Sequence, residues 1–148
     1  MTATTEWFLA ADESVGAART FVAGLMVGTS DSVRDSVVLM VSELATNALI
    51  HAAGGFDVSV ERSDGTVFVS VSDRGGGTPV LQAPPSSDPH GRGLRIVDKL
   101  ADDWGVSPLS DGDRRGKTVW FRLALRPSDV GELVNSGDVP PLDLGTTE

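Results

Sequence analysis

Residues 42–52 read SELATNALIHA, with Glu43 and Asn47 four residues apart among apolar neighbours. At 100° per residue, Val33, Val37, Met40, Val41, Leu44 and Ala48 fall on one apolar stripe of a helix. Glu43 and Asn47 then lie roughly 40° apart on one shoulder of that stripe. The spacing predicts a long helix from about Asp31 to Ala53, stopped by Gly54 and Gly55. A polar side chain half-sunk beside a core costs stability unless something meets it. Either these two groups sit on an ordinary half-solvated helix flank or satisfied by the fold, or a ligand meets them.

Working outward, residues 5–9 (TEWFL) predict a short strand. Glu13 to Val27 predicts a first helix, with Val15, Ala18, Phe21, Val22 and Leu25 at helical spacing and a break at Gly28-Thr29-Ser30. Beyond the long helix, FDVSVERS and TVFVSVSD alternate apolar and polar residues around Asp64-Gly65, a hairpin signal. Residues 73–91, DRGGGTPVLQAPPSSDPHG, are rich in Gly, Pro and Ser. A loop of that length inside one domain points to a functional lid. Gly93 to Ala101 predicts a helix, WGVSPL a strand, and KTVWFRLAL a last strand. From Arg126 onward Pro, Gly, Ser and acidic residues dominate, so residues 127–148 are expected to form a mobile acidic tail after a domain spanning 1–126. This order predicts an α+β fold, a two-layer α/β sandwich with a mixed, mostly antiparallel sheet and helices on one face.

The bulk composition agrees with one domain. A chain of 148 residues with 40% hydrophobic and 22% charged residues can bury a core unaided. No apolar run approaches the ~20 residues of a membrane-spanning helix. No basic segment precedes the apolar patch at the N-terminus, so no signal peptide is expected. The chain has no cysteine, which removes disulfides and thiolate metal sites and makes a cytoplasmic address the default. A formal net charge of −9 argues against nucleic acid as a partner. An anionic ligand remains possible where local amides and a metal ion handle its charge.

Three further stretches carry chemistry. VSDRGGG places Asp73 at a strand end before three glycines. A carboxylate there can cap a turn, or accept a hydrogen bond from an exocyclic amine such as that of adenine, with glycines letting a flat ligand approach. GRGLRIV, residues 91–97, opens a helix after the loop, and a helix N-terminus offers unpaired amides to an anion. GDRRGKT, residues 112–118, resembles a phosphate-binding G-x-x-x-x-G-K-[ST] loop but has only three residues between its glycines and leads into a strand. It reads as a hairpin turn.

In this order, E-x-x-x-N-A on a helix, D-x-G-x-G after a hairpin and G-x-G-L beyond a lid, the motifs resemble the nucleotide-binding family shared by gyrase B subunits, sensor histidine kinases and anti-sigma-factor serine kinases. SELATNALIHA and the ending LADDWGV…GKTVWFRL are most similar to the small anti-sigma kinase branch, abundant in actinobacteria. The resemblance implies the Bergerat ATP-binding fold, with ATP held between helices and lid. It implies Asn47 as a ligand of Mg²⁺ and Glu43 as general base. Asp73 would read the adenine amino group above a turn shaped by Gly75 and Gly77. Gly91, Arg92, Gly93 and Leu94 would serve the phosphates, with Arg92 either a phosphate contact or a solvated lid residue. Thr118 would support the adenine end by its hydroxyl. His51 falls one further turn along and is expected to pack structurally, while Ile50 departs from the polar residue common there and bears on partner contacts.

The activity implied is that of a serine/threonine protein kinase that binds a sigma factor and phosphorylates an anti-sigma-factor antagonist, with a homodimer as a further possibility. The competing expectation is an ATP-sensing binding module without phosphotransfer; retention of Glu43 favours the kinase. The sequence holds no dimerisation helix with a phosphorylatable His and no transducer domain, so a sensor-kinase or gyrase-like role is not expected.

Overall fold

Two periodicities meet in the core, the stripe of the long helix and the alternation of the hairpin. The computed structural model describes residues 3–51, 54–73, 89–111 and 114–130. In chain order the elements are β1 (Ala3–Phe8), α1 (Glu13–Leu25), α2 (Asp31–His51), β2 (Phe56–Ser63), β3 (Thr66–Asp73), α3 (Pro89–Leu100), β4 (Asp103–Asp111) and β5 (Arg114–Ala124). All eight expected elements are present, and the expected α+β sandwich is the observed fold.

The six stripe residues of α2, Val33, Val37, Met40, Val41, Leu44 and Ala48, are all buried. They face Val58 and Val60 of β2, Val67, Val69 and Val71 of β3, and Val119 and Phe121 of β5, which share one face of the sheet by alternation. Phe8 stacks on Phe56 at 5.4 Å and meets Phe21 edge-on at 6.0 Å, tying β1, β2 and α1 into one aromatic corner. Arg62 of β2 donates to the carbonyl oxygens of Leu25 (3.3 Å) and Val27 (2.8 Å), which are orphaned where α1 ends.

The sheet order is β1-β2-β3-β5-β4. A mixed sheet was expected; all four pairings are antiparallel. The reason is topological. β3, α3 and β4 make a crossover whose two strands run in the same direction, but β5 folds back as a hairpin partner of β4 and inserts between them. Insertion replaces one parallel contact with two antiparallel ones. It also leaves β4 at the edge, where Pro108 costs no ladder bond to a second neighbour.

The helix-free face carries Phe68 stacked on Trp120 at 5.6 Å. Gly105, paired with Trp120 across β4 and β5, makes room for that ring: a Cβ there would stand 2.7 Å from it.

Beyond β5 the chain makes a helical turn over 127–130 that docks at the start of α2. The Ser30 amide donates to the Asp129 carbonyl oxygen (2.6 Å) and the Ser30 hydroxyl to Asp129 Oδ1 (3.2 Å), while the Ser30 oxygen caps the Val33 amide (3.2 Å). The rest of the expected tail, 131–148, lies outside the described residues.

The short link from α2 to β2 turns on Gly55, at φ 90°. An added Cβ would lie 2.5 Å from the Phe8 carbonyl oxygen and 2.9 Å from the Trp7 ring. Gly55→Ala should therefore lower unfolding free energy by about 1–3 kcal/mol. Gly16 lies inside α1 with open space around it, so Gly16→Ala should raise stability by about 0.5–1 kcal/mol. Urea melts of the two variants should move in opposite directions, and a shared direction would refute this account of the turn.

Candidate functional site

Three chain segments converge at one end of the sheet. α2 ends at His51 and β2 begins at Phe56, so only a short link separates the last turns of the helix from the strand. Phe56 pairs with Asp73, the final residue of β3, and Asp73 pairs with Lys117 of β5. α2 packs on β3, so the C-terminal half of α2, with Glu43 and Asn47, stands at the Asp73 end.

Asn47 is buried, 9% exposed, and among the described residues nothing hydrogen-bonds its side-chain amide. Such a group costs about 1–3 kcal/mol relative to a satisfied one. Glu43, about one turn earlier, is half-buried, and no cation or donor engages its carboxylate among the described residues. Both residues singled out by their spacing thus lack side-chain partners among the described residues. The Asn47 carbonyl oxygen suits a hard cation that takes its remaining ligands from phosphates and water. No cluster of three acidic or histidine side chains is found among the described residues.

Asp73 shares the helix-facing side with Val69 and Val71 and is 5% exposed. A buried carboxylate needs a counter-charge, and Lys117 provides it, Nζ lying 3.1 Å from Oδ2. Asp73 Oδ1 has no partner among the described residues. Gly116 closes the back of the site: a Cβ there would lie 3.0 Å from Asp73 Oδ1 and collide with the Asp73 carbonyl oxygen. Only a residue without a side chain lets β5 approach so closely.

Thr118 is not brought to Asp73. It pairs with Ser72, and the two hydroxyls share a hydrogen bond of 2.7 Å. By strand alternation both lie on the helix-free face, while the β5 residue beside Asp73 is Lys117. Sequence reasoning missed Lys117 because GKT drew attention only as a failed phosphate loop. The signal was available: Val119 and Phe121 are the core-facing positions of KTVWFRL, so Lys117 shares their face.

α3 also departs from expectation. It begins at Pro89, four residues before Gly93, since a proline at the first helical position is preorganised and loses no needed amide. Within α3 the first-turn amides that precede the helix's own ladder are those of His90 and Gly91, Pro89 having none. Gly93 and Leu94 lie deeper, where their amides belong to the helix's own ladder, and the Leu94 side chain packs against the core. Of the four residues expected at the phosphates, Gly91 has its amide in the first turn, ahead of that ladder. Gly75, Gly77 and the expected lid up to residue 88 lie outside the described residues, as do the side chains of His51 and Arg92, while the last lid positions, 89–91, belong to α3. Ile50 is exposed at the end of α2, as expected for an edge position.

α3 packs on α2, and Trp104 Nε1 of β4 donates to Asp98 Oδ1 of α3 at 2.8 Å, fixing the helix over the β4 side of the sheet. What results can bind a ligand with one end amine-bearing and flat and the other anionic.

A family model described as a histidine kinase-like ATPase domain matches residues 8–123, from the last residue of β1 almost to the end of β5. No curated protein matches the chain. No helix among the described residues is long and apolar enough to cross a membrane.

Because Asn47 is buried without a described partner, Asn47→Leu should stabilise the ligand-free protein by about 1–3 kcal/mol, trading an orphaned amide for an apolar group of similar shape. Denaturant midpoints measured without nucleotide test this; a Leu variant less stable than the parent would mean the amide is satisfied within the fold.

Proposed function

We propose, because this chain belongs to the histidine kinase-like ATPase domain family, that it is an ATP-binding serine/threonine kinase of the anti-sigma type. Its substrate is a hydroxyl of a small antagonist protein, and it regulates a sigma factor by holding it. The observation that carries this reading is the pair on α2: a buried Asn47 amide without a described partner, and an unpaired, half-buried Glu43 about one turn away.

Each group has a task. Bound ATP with Mg²⁺ supplies a transferable γ-phosphoryl group whose charge is partly neutralised. Asn47 offers its amide oxygen to the cation. Asp73 accepts from the adenine amine, and the free amides at the start of α3 face the phosphate end. Glu43 takes the proton from the incoming serine or threonine hydroxyl as its oxygen bonds to the γ-phosphorus, while the bond to the ADP oxygen breaks. A hydroxyl is a poor nucleophile at neutral pH, and a positioned base contributes typically 10²–10⁴-fold. A module that only sensed ATP would have no use for Glu43 beside the phosphates, which favours transfer over sensing.

The two α2 residues should fail differently. Glu43→Gln keeps shape and hydrogen bonding, so ATP binding should persist while transfer drops by about 10²–10⁴-fold. Asn47→Leu should weaken both Mg²⁺-dependent binding and transfer. The measurement is labelled γ-phosphate transfer to antagonist proteins co-purified with the chain, alongside calorimetric ATP binding for each variant. Full transfer by Glu43→Gln would remove it as the base. A parent protein that binds ATP and an antagonist yet transfers nothing would be an ATP-sensing regulator instead.

A further inference from the structure

Lys117 has no role in the scheme above, yet it stands beside the group that reads the base. We propose that Lys117 is a specificity-determining residue for the nucleotide: with Asp73 it forms a paired donor and acceptor that takes the adenine edge at two points. The proposal rests on the nucleotide-binding reading and adds a second contact to it.

The geometry supplies both halves. Asp73 Oδ2 holds Lys117 Nζ at 3.1 Å, and Oδ1 has no partner among the described residues. An ionised carboxylate has about four acceptor positions, so Oδ1 accepts an amine while Oδ2 keeps its lysine. An ammonium has three donors; one is used on Oδ2, and two remain. The exposures differ in the useful sense. The Asp73 side chain is 7% exposed and fixed against Gly116, whereas the Lys117 side chain is 36% exposed and so keeps solvent-accessible surface beside the carboxylate. Thr118 and Ser72 cannot substitute, being bonded to each other on the opposite face.

Adenine carries its exocyclic amine, a donor, next to ring nitrogens that are acceptors: N1 on one edge and N7 on the other. An acceptor oxygen whose geminal oxygen holds a charged donor matches such an edge, with Asp73 on the amine and Lys117 on the adjacent ring nitrogen. Guanine presents a carbonyl oxygen where adenine has the amine, setting acceptor against the buried carboxylate. A charged donor makes the stronger kind of hydrogen bond, so Lys117 contributes to affinity as well as selection. If Lys117 instead only neutralises Asp73, its removal weakens every purine ligand alike.

The test is calorimetric binding of ATP, 1-deaza-ATP and 7-deaza-ATP, each with Mg²⁺, to the parent protein and to Lys117→Met. In the parent, the analogue lacking the nitrogen that Lys117 reads should bind about 10- to 100-fold more weakly than ATP. Lys117→Met should bind ATP about as weakly as the parent binds that analogue, and should no longer separate the two. Equal binding of all three ligands by the parent would overturn the proposal without any variant, as would full discrimination retained by Lys117→Met. Should the Met variant not fold by circular dichroism, Lys117→Gln, which keeps a neutral donor, should show reduced discrimination, and unchanged discrimination counts against Lys117. A parent that binds none of the three would remove the nucleotide reading itself, and the base-reading role with it. ATP bound without ring-nitrogen sensitivity would remove only the role of Lys117.

Discussion

The α2 helix is asked to be core and site at once, and the packing energy of its stripe is what makes this tolerable. Val37, Met40, Val41 and Leu44 are almost completely buried, each worth roughly 1.5–3 kcal/mol over exposure. Against that, one orphaned amide at Asn47 costs about 1–3 kcal/mol. The stripe wins, so the helix stays seated on β2 and β3 with an unfavourable group held beside the core. A loop could not hold it so, because the helix shoulder fixes Glu43 and Asn47 relative to each other to within one turn.

The sheet end opposite that shoulder is organised by Asp73. Burying a carboxylate there is costly on its own, and two neighbours on β5 make it possible: Lys117 supplies the counter-charge and Gly116 the absence of a side chain. Both arrive together because β5 inserts between β3 and β4, putting the start of the last strand against the end of β3. The topology that makes every strand pair antiparallel is therefore also the one that completes the Asp73 corner. A parallel β3–β4 contact would have placed β4 residues there instead.

Much of this was legible in the sequence, for identifiable reasons. The α2 stripe and the hairpin rest on strong periodicities and on Gly65, whose φ of 83° closes the turn. The candidate site residues stood out by position, Glu43 and Asn47 as polar groups on the shoulder of the apolar stripe and Asp73 at a strand end before three glycines. What was less legible depended on neighbours far away in sequence. The hydroxyl partner of Thr118 follows from its register with Ser72, 46 residues earlier, and the counter-ion of Asp73 from its register with Lys117. The start of α3 was displaced because Gly91 and Gly93 suggested a helix not yet begun. A glycine costs a helix only about 1 kcal/mol, less than Pro89 and the packing of Leu94, Ile96 and Val97 can offset.

The acidity of the chain raises a last physical question, how a protein of formal net charge −9 accepts a triphosphate. Distance resolves it. At physiological ionic strength exposed charges are screened beyond about 8 Å, so the sum over the surface matters less than the groups lining the site. There the local balance differs from the global one. The start of α3 carries the positive end of a helix dipole, equivalent to roughly half an elementary charge, and Lys117 cancels Asp73 at the base end. Of the two carboxylates there, Asp73 is paired and Glu43 is not, among the described residues. A cation held by Asn47 would offset both that carboxylate and the phosphates. The overall acidity thus leaves nucleotide binding intact, with the site's few positive groups standing within a screening length of the phosphates.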